Sequence, residues 1–219
     1  MLKSEKDRAA KIFKLLKKEY PQAEIALEFY NPFQLLISTI LSAQCTDERV
    51  NIVTKNLFKK YKSPNDFLKV SNEELEKDIF STGFYRQKAK SIKACCKDLI
   101  DKHNGEVPSD FEALIKLPGV GRKTASVIVG NAFGIPAIAV DTHVKRLSNL
   151  LGFIESEDPE KIELRLKELL PEKDWVDSSH LLATHGRNIC IARRPKCLEC
   201  VLGDLCPSYT PNNVKSKRL

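Results

Sequence analysis

Cys190, Cys197, Cys200 and Cys206 follow the spacing C-x6-C-x2-C-x5-C. Four thiolates this close along a chain can wrap one cubane iron–sulfur cluster or one tetrahedral zinc ion. Zinc sites usually pair two C-x2-C units, or one such unit with histidines. A single C-x2-C flanked by one cysteine on each side favours an Fe–S cluster and leaves zinc as the alternative. The segment between the first two cysteines reads IARRPK. Pinned at both ends by metal, it would project Arg193, Arg194 and Lys196 from a rigid loop suited to phosphate contact. An ordinary solvated loop has the same composition. The other three cysteines, Cys45, Cys95 and Cys96, fall inside helical patterns and are expected to be buried packing residues.

Leu117-Pro-Gly-Val-Gly121 separates two helical segments, expected at 109–117 and 122–133. Gly119 and Gly121 permit backbone angles closed to other residues and let another chain come near. Backbone N–H groups there, beside the start of the second helix, form an anion site. Such a helix–hairpin–helix grips a phosphate without reading sequence, and Arg122 and Lys123 follow directly. The neighbouring GRKT is not a nucleotide-binding P-loop, because Arg122 replaces the required glycine and no strand precedes it.

The elements that must position these residues are helices. Residues 6–20 carry Ala9, Ile12, Phe13, Leu16 and Tyr20 on one face before Pro21. Asn31-Pro32 is an N-cap with proline at the first helical position, and the FQLLISTILSAQ that follows is apolar nearly all round, as a buried helix is. A third helix begins near Thr46 and uses Val50, Val53 and Leu57. Ser63-Pro64 starts another, and Ser71-x-x-Glu74 and Ser109-x-x-Glu112 read as capping boxes. Ala89, Ile92, Cys96 and Leu99 mark a helix that stops near Gly105. Asp158-Pro159 opens a later one, with Ile162, Leu166 and Leu169 inward. The best strand candidate, residues 137–140, is short and isolated, so the expected fold is all-α. The tail NNVKSKRL is polar, basic and expected to be loose.

The 219 residues suffice for one large domain or two small lobes with a real core. Lys and Arg exceed Asp and Glu by 36 to 29, a net charge of +7, which points to a polyanionic partner, usually nucleic acid. No apolar run is long enough to cross a membrane. The N-terminus is too charged for a secretion signal, so an intracellular, cytoplasmic protein is expected. The cysteine cluster then reads as metal binding rather than disulfides.

LSAQCTD at 41–47, LPGVGRKTA at 117–125, AVDTHVKR at 139–146 and the cysteine cluster together resemble the endonuclease III family, in order and spacing, over nearly the whole chain. The resemblance implies two helical lobes with DNA in the cleft between them: a helical barrel with the helix–hairpin–helix at 25–135, and a discontinuous iron–sulfur lobe from 1–24 and 136–219. It implies a 4Fe-4S cluster on the four cysteines, Lys123 as nucleophile and Asp141 as catalytic aspartate. Gln44 would fill the hole left by a flipped base. Phe84 in TGFYRQKA, where the best-known bacterial members carry leucine, would wedge into the stack. The implied activity is a base-excision DNA glycosylase with abasic-site (AP) lyase activity on oxidised pyrimidines, acting at the nucleoid on double-stranded DNA with damaged bases or abasic sites; with no coiled coil or exposed apolar repeat in the sequence, a monomer is expected.

That chemistry suits these residue types. A base must leave the duplex to be reached, and the gap needs a plug and a wedge. Breaking the glycosidic bond builds positive charge that a carboxylate stabilises. An amine can then form a Schiff base with the sugar, which acidifies the adjacent proton and leads to strand cleavage. An attacking lysine must first lose its proton, which a free one holds until about pH 10.4. The bland readings are a phosphate-binding Lys123, an Asp141 that only caps the helix beginning at Thr142, and a Gln44 that only ends a helix. His143 is a possible DNA contact, His103, His180 and His185 give no strong signal, and Trp175 reads as core. Two functional alternatives stand beside the leading one. A monofunctional adenine or thymine/uracil mismatch glycosylase of the same fold generally lacks the lysine. A non-catalytic metal-containing DNA-binding protein needs neither Lys123 nor Asp141.

Overall fold

The computed structural model describes residues 4–210, so the basic tail lies outside the described residues. In chain order the helices are α1 (Glu5–Glu19), α2 (Pro32–Ser42), α3 (Asp47–Lys60), α4 (Pro64–Lys69), α5 (Asn72–Ile79), α6 (Tyr85–His103), α7 (Phe111–Leu114), α8 (Arg122–Phe133), α9 (Thr142–Leu150), α10 (Pro159–Leu169) and α11 (Trp175–Asn188). The described residues contain no strand; the fold is all-α. None of these helices is long and apolar enough to cross a membrane.

Local chemistry sets most helix starts. A helix leaves its first four N–H groups without internal partners. Asn31 accepts from the Gln34 N–H at 2.9 Å to open α2, with Pro32 at the first position. Thr46 accepts from Arg49 to open α3. At Ser63 the Asp66 carboxylate reaches back to the serine backbone N–H. Ser71 accepts from the Glu74 N–H at 3.1 Å. The box expected at Ser109 does not form. Asp110 takes the cap, accepting from Ala113 at 2.7 Å, and the first hairpin helix shrinks to the single turn of α7. A carboxylate one residue nearer the turn outcompetes the serine hydroxyl because it is the stronger acceptor.

The chain divides into two compact units: Ile25–Ile135, and the segments before and after it, to Glu24 and from Pro136. In the Ile25–Ile135 unit α2 is the central element, packed on α3, α6 and α8. Its Leu35, Leu36, Ile37 and Leu41 are fully buried, as an all-round apolar helix requires. Cys95 and Cys96 are buried on α6 as expected, and burial pushes the Cys95 thiol up to about 12. Cys45 is not in a helix; it is half-buried in the turn between α2 and α3, because α2 stops at Ser42.

The other unit joins α1 to α9, α10 and α11 around Ile12, Leu16, Leu147, Leu166 and Leu182. Arg8 of α1 donates to the carbonyls of Leu151 at 2.6 Å and Leu205 at 3.2 Å, tying the first helix to the segment around Cys206. The apolar run at 137–140 is no strand. It has no regular secondary structure; Ala137 and Ile138 are buried, and the Ala139 N–H goes to the Ser179 hydroxyl rather than to a neighbouring strand. Trp175 packs on this core and donates to the Leu170 carbonyl.

Leu16 is fully buried in that core. Leu16→Ala is expected to cost about 2–5 kcal/mol, read as a lowered urea midpoint with an unchanged slope.

Candidate functional site

The hairpin residues sit where two helix ends meet. Gly119 has φ +81 and so occupies the left-handed region. A Cβ there would meet the Ser91 Cβ at 3.0 Å, so glycine is needed for both conformation and space. Gly121 differs from the expectation. At φ −97 and ψ 175 it is ordinary extended backbone, with open space where a Cβ would stand. Its contribution is to start α8 with no side-chain cap, leaving the first N–H groups of that helix to an outside acceptor. Arg122 stacks over Phe111 of α7 at 5.2 Å, which orients its guanidinium. Lys123 is exposed in the first turn of α8.

Two further residues of this unit stand out by their backbone. Gln44 (φ 54), Phe84 (φ 47) and Asn104 (φ 53) are the non-glycine residues with positive φ among the described residues. Asn104 simply ends α6, a common place for asparagine. Gln44 lies just past the end of α2, and both it and Phe84 are exposed, Phe84 at 65%. A phenylalanine held exposed in a strained turn has no packing reason to be there.

In the other unit Asp141 caps α9, its carboxylate accepting from the Val144 N–H at 2.7 Å. One oxygen is thereby held and the side chain remains half-exposed. His143 is half-buried on α9 against α11, where a Cβ on Gly186 would come within 2.9 Å of its ring. Burial is the chief influence lowering its pKa, and Asp141 opposes it. Arg146 donates to the carbonyls of Gly186 and Cys190, anchoring the start of the cysteine segment.

Cys190, Cys197, Cys200 and Cys206 carry free thiols and line one cavity of about 280 Å³. Among the described residues no three His, Cys, Asp or Glu side chains converge closely enough to chelate one ion, whereas a cubane takes its thiolates at separate corners. Burial raises the pKa of Cys190, Cys200 and Cys206. Such thiols become thiolates readily only beside compensating positive charge, which cluster iron supplies. The donor set therefore fits a 4Fe-4S cluster. Arg193, Arg194 and Lys196 are exposed on the loop between the first two cysteines, with the Lys196 N–H bonded to the Ile189 carbonyl.

Two residues in these neighbourhoods escaped the sequence reading. His185 is buried beside the cysteines, with Nε2 3.5 Å from the Cys200 Sγ and Nδ1 2.9 Å from the Tyr20 hydroxyl. Burial lowers it to about 4, so the ring is neutral at neutral pH. Lys88 is buried under the turns bearing Gln44 and Phe84. Each falls on the apolar stripe of its helix, with Leu181 and Leu182 before His185 and Ile92 and Leu99 after Lys88. A polar residue on a buried stripe is the signal that marks both.

The chain matches the HhH-GPD superfamily of base-excision DNA repair proteins over residues 37–172, and the iron–sulfur binding domain of endonuclease III over 190–206. It is 50% identical to endonuclease III of Synechocystis over 94% of both chains. The endonuclease III of Bacillus subtilis is 52% identical over 85% of this chain and 86% of its own. The chain belongs to the endonuclease III family. It is a base-excision DNA repair enzyme, a glycosylase with AP lyase activity, and it carries a 4Fe-4S cluster. The fold also superposes on a trapped covalent intermediate of endonuclease III with DNA, with a TM-score of 0.90, 48% identity, and coverage of 94% of this chain and 97% of that one.

The two glycines should separate by substitution. Gly119→Ala is expected to lose about 1–2 kcal/mol of stability and to weaken DNA binding, whereas Gly121→Ala keeps the fold. Thermal melting of the two variants side by side checks this.

Proposed function

We propose that the enzyme removes oxidised pyrimidines from duplex DNA and cleaves the strand through Lys123. The observation that carries this reading is an exposed lysine in the first turn of α8, directly after an uncapped glycine hairpin. The hairpin N–H groups hold a backbone phosphate, which sets the height of the sugar relative to Lys123. Asp141, fixed by its cap bond to Val144, stabilises positive charge on the sugar as the base departs. The Lys123 amine bonds to the sugar C1′ and the base leaves with the bonding electron pair. Opening of the sugar ring gives a Schiff base. Loss of a C2′ proton then expels the 3′ phosphate, and water releases the enzyme.

Gln44 takes the space of the flipped base and Phe84 separates the neighbouring stack, roles that suit side chains held exposed on strained turns. Cys190, Cys197, Cys200 and Cys206 hold the cluster, which braces the loop carrying Arg193, Arg194 and Lys196 against phosphates. Arg122 and His143 complete the DNA contacts. We assign the protein to the cell interior, at the nucleoid, acting as a monomer. A monofunctional mismatch glycosylase has no use for an exposed lysine at this position.

Borohydride reduction on a duplex with one oxidised pyrimidine tests the central step. The wild type is expected to give a covalent protein–DNA adduct that Lys123→Ala abolishes. Base release without any adduct would refute the lysine mechanism. Asp141→Asn is expected to slow base release by about a hundredfold or more while leaving binding of an abasic analogue nearly unchanged. For the loop, Arg193→Ala and Arg194→Ala should each reduce the salt dependence of DNA binding by about one counterion, measured as the slope of log affinity against log salt.

A further inference from the structure

We infer that Lys88 is a positioning residue for lesion recognition, its buried ammonium tying together the two turns that present Gln44 and Phe84. Lys88 is only 5% exposed. Its Nζ donates to the Leu41 carbonyl at 2.7 Å and to the Thr82 carbonyl at 2.8 Å. Leu41 lies in the last turn of α2, three residues before Gln44. Thr82 ends the 3₁₀ turn Phe80–Thr82, two residues before Phe84. The backbone N–H of Lys88 also bonds to the Phe84 carbonyl at 3.0 Å. The ammonium thus holds the plug turn at Leu41 and the wedge turn at Thr82, while the bond to Phe84 is the i→i−4 bond that any residue there makes.

The energetics argue against a packing role alone. Burying an ammonium without a carboxylate is costly, and among the described residues the partners of the Lys88 ammonium are carbonyls, not carboxylates. Burial lowers its pKa, with Cys45 opposing. A methionine would fill the same space without that cost. The charge instead meets the carbonyl ends of two helical segments, where backbone dipoles concentrate negative charge. Gln44 and Phe84 both have positive φ, a conformation that survives only where the surroundings impose it. A bond from one ammonium to both turns imposes it and fixes their spacing together. Neither turn can then shift without the other, so plug and wedge enter a duplex as a pair.

This inference rests on the reading of Gln44 and Phe84 as the side chains that enter DNA, and the experiment separates the two. Full-length, cluster-loaded protein is titrated with a duplex carrying a tetrahydrofuran abasic analogue opposite 2-aminopurine, and with the undamaged duplex. Lys88→Met is expected to weaken binding of the analogue duplex about tenfold and to reduce the 2-aminopurine fluorescence rise. Undamaged duplex binding, and borohydride trapping on single-stranded abasic DNA, stay within about twofold of wild type. Lys88→Arg, which keeps the charge and donors, recovers part of the fluorescence signal. Lys88→Met combined with Gln44→Ala loses less than the sum of the two single effects, because Lys88 acts in part through the turn that bears Gln44. Equal loss on both duplexes, additive losses, or a fluorescence rise unchanged in Lys88→Met overturns the inference. A Lys88→Met defect with Gln44→Ala and Phe84→Ala both silent shows instead that the reading of those two side chains has failed. Should Lys88→Met not fold, Lys88→Gln, which keeps donors without charge, carries the same comparisons.

Discussion

Unsatisfied N–H groups at helix N-termini are the constraint from which this molecule is organised. Each helix must give its first N–H groups an acceptor, and most starts here supply one from the chain: Ser4, Asn31, Thr46, Ser71, Asp110, Asp141 and Asp158 all accept from the first turn of the helix they open. In the Ile25–Ile135 unit, α6 and α8 start instead at Phe84 and Gly121, with no side-chain cap bond. At Gly121 the uncapped start of α8 suits an anionic acceptor, for which we propose a DNA phosphate. Asp141 caps α9, and the same bond to Val144 immobilises the carboxylate that we propose for the chemistry.

Backbone strain follows the same division. Asn104 spends a left-handed conformation on ending a helix, an ordinary use for asparagine. Gln44 and Phe84 adopt it at a cost of about 1–3 kcal/mol each and gain little burial for it. Lys88 sits beneath both turns as a buried charge, a second unfavourable feature that offsets the first by fixing the turns from below. We propose that the strained exposed residues and the buried cation beneath them act together.

The cysteine segment solves a different problem. From Ile189 to Tyr209 the chain has only two short 3₁₀ turns and few apolar anchors, Leu202 the most buried of them. Ties from elsewhere in its own unit hold it: Arg8 to Leu205, Arg146 to Cys190, and the Tyr20–His185 pair beside Cys200. Together with a cluster at four cysteines they let a loop without regular structure keep three cations exposed in fixed positions.

The sequence alone determined what depends on neighbours a few residues apart. Helix periodicity, the caps at Asn31 and Ser71, the helix start near Thr46, the glycine hairpin and the cysteine spacing were legible because their physics acts over one or two turns. Where two local signals competed it misled: Asp110 displaced Ser109 as a cap. Of the two hairpin glycines, Gly119 adopts the left-handed conformation and Gly121 does not. Tertiary structure alone decided the roles of Lys88 and His185. Their partners lie 47 residues away at Leu41 and 165 residues away at Tyr20. No local pattern encodes such pairs, because a side chain on an apolar stripe can be packing, strut or ligand, and only the groups brought against it by the rest of the fold determine which.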